Sequence, residues 1–165
     1  MAQDTSSPPT DPRLRGNPGT SDFQVDYYPF YLLNRTVGRY NGIIEAALRA
    51  IGVDLPSWRV LMILGESSPR SIGQVAETAV IAISTMTRMI QRMEAAGLVR
   101  CQPRPNDNRV TEVYLTDQGA DMLARTRAIA APVFEQAIDG FSAGEFQQLV
   151  DLLNRLYRNL TKPAR

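Results

Sequence analysis

At 165 residues the chain has room for one well-packed domain, or one domain with a dimerisation extension, and is too short for two independent domains. Its 44% hydrophobic and 21% charged residues and net charge of +1 are ordinary for a soluble globular protein. No apolar run nears the ~18 residues that span a bilayer, and the N-terminus lacks a secretory signal, so a cytoplasmic protein away from membranes is expected. A single cysteine, Cys101, excludes an intrachain disulfide and a cysteine-cluster metal site, and the absence of histidine removes the commonest general base and zinc ligand, so neither an enzyme nor a cofactor is expected.

Residues 1–22 hold four prolines among Ser, Thr, Asp and Gly, a composition that buries too little apolar surface to offset chain entropy, and they are expected to form a disordered arm. From Tyr28 the pattern changes. Phe30, Leu33, Val37, Tyr40, Ile44, Leu48 and Ile51 recur every three or four residues and predict a long amphipathic helix ending at Gly52. Asp54 is placed to cap a second helix, with Pro56 in its first turn, Trp58, Leu61, Met62 and Leu64 on its apolar side, and Gly65 at its end. Ser71 and Gln74 have capping-box spacing and open a short third helix. After a brief turn a fourth runs from about Ala82 to Ala96, with Ile83, Met86, Ile90 and Met93 expected inward, and Gly97-Leu98 stops it.

The period then becomes two: residues 98–101 and 110–115 read as paired strands around a long loop containing Pro103, Pro105, Asn106, Asp107 and Asn108. Thr116 caps a fifth helix reaching about Ile138, which Pro132 should kink, and Ser142 with Glu145 opens a sixth whose apolar face is wider than one small core needs. The expected fold is mainly α with a small β-hairpin wing: a winged helix-turn-helix over 54–115, flanked by dimerisation helices over 23–52 and 116–162, in one domain spanning 23–165.

Two short helices joined by a tight turn, followed by a hairpin with arginines at its tip, form an arrangement that lays its second helix in the major groove of double-stranded DNA. Between Arg70 and Arg109 six arginines face three acids. With the Ile and Met stripe inward, Ser84, Thr85, Thr87, Arg88 and Gln91 point outward, offering hydroxyls to phosphates and one arginine long enough for a guanine edge. At the tip Arg104 and Arg109 offer planar cations to phosphate or a narrow minor groove, and Asp107 is placed to hold Arg109. The same surface read without DNA is that of a winged-helix adaptor binding another protein.

Ser84 to Leu123, with Leu55–Leu61 and Ser71–Ala76 before it, resembles the MarR family of multiple-antibiotic-resistance-type regulators. The signatures are Gly97-Leu98-Val99, Asp107-Asn108-Arg109, and Leu115-Thr116 with Gly119. The resemblance implies a homodimer built by the first, fifth and sixth helices that binds a palindromic operator as a repressor released by a small ligand, with Asp107 and Arg109 as the wing pair. Cys101 departs from the family pattern, which has arginine there, and the stretch from Val80 to Ile83 is unusually apolar. Effectors of the family, often phenolic carboxylates, bind near the first two helices. Tyr31, Arg35, Arg39, Trp58 and Met62 are accordingly the candidate ligand residues, aromatics to stack a ring and arginines to pair a carboxylate. Some relatives sense oxidants through a thiol, whereas a lone cysteine on a strand is otherwise a small apolar filler, and both readings of Cys101 stay open.

Overall fold

The computed structural model describes residues 11–162, and the chain divides between Leu55 and Pro56 into two compact units. The first unit opens with a short helix, α1 (Pro12–Gly16), for which Asp11 is the cap: its carboxylate accepts from the Arg13 N–H at 2.9 Å, and Pro12 stands in the first turn. A 3-10 turn (Val25–Tyr27) follows. The Gln24 N–H donates to the Arg15 carbonyl at 2.8 Å, and the Arg15 guanidinium donates to Gln24 Oε1 at 2.9 Å while lying 4.0 Å over the Tyr27 ring.

The reading of residues 1–22 as a disordered arm is therefore corrected for its second half. Residues 1–10 lie outside the described residues. From Asp11 the chain carries its own start signal, Asp-Pro, and one long side chain, Arg15, that finds an aromatic partner; average composition hides both. The long periodic helix is α2 (Pro29–Arg49), which buries Ile44 and Leu48, with Gly52 beyond it at φ 71°.

In the second unit α3 (Leu55–Glu66) leads to a two-residue strand β1 (Arg70–Ser71), then α4 (Ile72–Ala79), α5 (Ile83–Ala95), β2 (Val99–Arg104), β3 (Asp107–Leu115), α6 (Asp117–Ala137) and α7 (Ala143–Leu160). Both capping boxes are present: Ser71 with Gln74 at α4, Ser142 with Glu145 at α7. Pro132 lies inside α6 without ending it. One core joins Val60, Leu61 and Leu64 of α3, Val75, Ala76 and Ala79 of α4, the α5 methionines with Ile90, Val99 and Val113 of the strands, and Leu123 of α6. α7 buries none of its residues, although Phe146 meets Phe134 of α6 edge-on at 6.0 Å.

The sheet has order β1-β3-β2, all antiparallel. β1 was not expected: it is too short to show a period, and only its pairing of Arg70 with Val113 and Ser71 with Glu112 makes it a strand. The hairpin is also longer and its tip tighter than the sequence predicts, since β2 runs through Pro103 and only Pro105 and Asn106 remain as the turn. Pro103 is tolerated because β2 is an edge strand, where a missing N–H can face outward, and the register shifts just after it.

Candidate nucleic-acid interface

α4 and α5 meet through Val80, Ile81 and Ala82. Ile81 packs on the core, and the buried side of α5 is Met86, Met89, Ile90 and Met93. This corrects the expected inward stripe at its first member: Ile83 is 61% exposed. Helical side chains lean toward the N-terminus, so a residue in the first turn overhangs the end of the core and has no earlier turn to cover it. Met89 is buried instead, completing the i, i+3, i+4, i+7 set with Met86, Ile90 and Met93.

Of the outward candidates on α5, Ser84, Thr85, Arg88 and Gln91 are exposed. Thr87 is half-buried, and its hydroxyl donates to the Ile83 carbonyl at 2.8 Å, so its donor is already used within the helix. Between Glu77 and Glu94 the chain has no acidic residue, which leaves this face free of charges that would repel phosphate.

The wing places its two tip arginines differently. Arg109 is 90% exposed, and Asp107 holds it by Nε–H to Oδ1 at 2.9 Å and Nη2–H to Oδ2 at 3.2 Å, with the Arg109 backbone N–H also donating to Oδ1 at 3.2 Å. These bonds hold the Asp107 carboxyl below the usual carboxylate range and raise the guanidinium above its own. Two of the five guanidinium N–H groups face Asp107, and the rest of this pre-oriented fork is open to a phosphate or a groove edge. Arg104, expected to point out from the tip, is folded back: its Nε–H donates to Glu112 Oε1 at 2.9 Å. Glu112 also accepts from the Tyr114 hydroxyl at 3.0 Å, and Arg100 lies 4.3 Å over the Tyr114 ring. The sequence reading missed this face of the hairpin, although the two-residue alternation of Glu112 and Tyr114 was visible.

The base of the wing is closed by short-range contacts. Gly97 ends the α5 segment at φ 74°, and the Thr116 hydroxyl donates to the Gly97 carbonyl at 2.6 Å while accepting from the Gly119 N–H at 2.9 Å. The Thr116 N–H donates to the Leu98 carbonyl at 3.3 Å, and a Cβ on Gly119 would collide with that same carbonyl.

Cys101, half-buried on β2, has its N–H on Glu94 Oε1 at 2.6 Å. Burial first, then the Glu94 charge, pushes the thiol up to about 11. Of the ligand candidates, Trp58 and Met62 lie together at a pocket of about 460 Å³ that Arg59, Ile63, Thr78, Ala79 and Val80 complete. Tyr31, Arg35 and Arg39 recur every fourth residue on α2, all exposed, in the first unit. Among the described residues no cluster could hold a metal ion, and no helix is long and apolar enough to cross a membrane.

The model of the MarR family matches residues 53–111. The HTH-type transcriptional repressor IacR of Pseudomonas putida is 35% identical over 144 residues, which span 87% of this chain and 86% of that protein. Among solved structures, a MarR-family transcriptional regulator from Silicibacter pomeroyi aligns with TM-score 0.77 at 28% identity, covering 86% of this chain and 96% of that one. A mutant of MarR from E. coli complexed with operator DNA shares the fold with TM-score 0.71 at 20% identity, over 82% of this chain and 99% of that one.

Proposed function

Because this chain belongs to the MarR family and is a transcriptional regulator, we propose that it is a repressor that binds a palindromic operator as a homodimer, α5 lying in the major groove and the Arg109 wing reaching the flanking backbone or minor groove. The observation that carries this reading is the continuous exposed surface of Ser84, Thr85, Arg88 and Gln91 on one short helix, in a stretch without acids, beside an arginine held in position by Asp107. The homodimer is supported by α7, whose Leu149, Leu152, Leu153, Tyr157 and Leu160 are exposed in the single chain; so many apolar side chains along one helix need a covering surface, and a second copy supplies it.

The test is binding to fragments selected from the source genome by the purified protein, followed by footprinting and sedimentation. Expected are a two-fold symmetric protected site and a dimer in solution. Arg88→Ala should cost about tenfold or more at that site, and Arg109→Ala should weaken binding to all sequences and lower the salt slope by about one. A monomer, or variants that bind like the parent, would count against the reading.

The released state is assigned to an aromatic carboxylate. Its support is the pocket where Trp58 and Met62 meet Arg59, offering a ring face, a thioether and a cation in a volume that suits one small ring. Tyr31, Arg35 and Arg39, exposed on α2, do not line this pocket and stand as separate candidates for pairing a carboxylate. Since Trp58 is the only tryptophan, its fluorescence reports this pocket directly. Titration with benzoate and hydroxycinnamate should shift it and weaken the operator complex; a flat signal with both would remove the carboxylate reading.

A further inference from the structure

The turn from α4 into α5 carries three unusual features. Val80 is 83% exposed and sits at φ 54°, ψ 48°, a left-handed conformation that a β-branched residue adopts at a cost. Ala82 is the N-cap and offers no side-chain acceptor, whereas α4, α6 and α7 are capped by Ser71, Thr116 and Ser142. Ile83 then presents its branched side chain to solvent. The hydroxyl-rich surface of Ser84, Thr85 and Arg88 starts one residue later, so this apolar tip is continuous with the face assigned above to DNA.

We propose that Ile83, flanked by Val80 and Ala82, is a specificity-determining contact that packs on the C5-methyl group of thymine where the recognition helix enters the major groove. Among the four bases only thymine carries an apolar group on that groove edge; guanine offers two acceptors and cytosine an amino group. An isoleucine or valine set against either of the latter strips water from a polar atom and returns no hydrogen bond. The tip therefore selects for a methyl and against G·C pairs. The local charge agrees with a nucleic-acid occupant, because residues 78–93 contain Arg88 and Arg92 and no acid. The inference rests on the DNA-binding reading and adds the identity of the base at one point of each half-site.

The experiment replaces thymine by deoxyuridine, one position at a time, in the shortest duplex protected in the footprint, and measures affinity at fixed salt. Burial of one methyl corresponds to about fourfold in affinity. One symmetric pair of positions should show that loss with the parent protein and with Ile83→Val, while Ile83→Ser should bind thymine and deoxyuridine duplexes alike. Cytosine placed at the same position should be rejected, and 5-methylcytosine should recover part of the loss. If every deoxyuridine duplex binds the parent as tightly as the thymine duplex, the thymine contact is wrong and the DNA-binding reading stands. If no fragment binds at all, both fall.

Discussion

Val80 occupies the left-handed region with a β-branched side chain, and glycine there would remove about 1–2 kcal/mol of steric cost while adding about 0.5–1 kcal/mol of chain entropy to the unfolded state. Val80→Gly is therefore expected to stabilise the protein by about 1 kcal/mol, raising Tm by about 2–4 °C in a melt, while weakening the operator complex. A lowered Tm would show that the side chain is held by packing rather than kept for contact. Cys101 gives a second outcome of the same scale. With its thiol pushed up to about 11, the nucleophilic thiolate is scarce near neutral pH, so the native protein should react with a disulfide reagent orders of magnitude more slowly than the unfolded chain. Peroxide should leave operator binding unchanged, and fast labelling of the native protein would reopen a sensing role.

At the scale of elements, what was legible depends on how local the cause is. The capping boxes at Ser71 and Ser142 and the stop at Gly97 are each written within a span of four residues and were readable. β1 depends on a partner more than forty residues away, Arg104 turns according to Glu112 across the hairpin, and Ile83 is exposed because the core-facing side of α5 begins only about one turn later, at Met86. The signature residues Gly97, Leu98, Thr116 and Gly119 were legible as a pattern, but only their contacts explain them: they meet at one junction where α5 ends and α6 starts. Gly119→Ala should therefore cost about 3 kcal/mol, read as a lower urea midpoint, because the added methyl meets the backbone carbonyl of Leu98 instead of a movable side chain. An unchanged midpoint would mean that α6 can slide at little cost.

For the molecule as a whole the charge pattern predicts how binding responds to pH. The chain has no histidine. Asp107 is held below the usual carboxylate range by Arg109, and Glu112 by Arg104 and then Tyr114. For such depressed groups the charged interaction is present above the ordinary carboxylate value and is lost only as pH falls through the lowered one, so both pairs stay intact in mildly acidic solution. Operator affinity at constant salt should thus be flat between about pH 5.5 and 7. A change of several-fold in that window would reveal a titrating group in the complex that the wing and α5 do not explain.

Ser71 closes β1 and also caps α4, while β3, to which β1 is bonded, is the strand that carries Arg109. The Leu115 N–H adds a further tie by donating to the Ser68 hydroxyl at 3.0 Å. The wing is consequently no free flap on a hinge. Its middle strand and the first helix of the helix-turn-helix share a bonded seam, so in the proposed operator complex the wing is expected to favour the groove width set by that seam rather than adapt to any width.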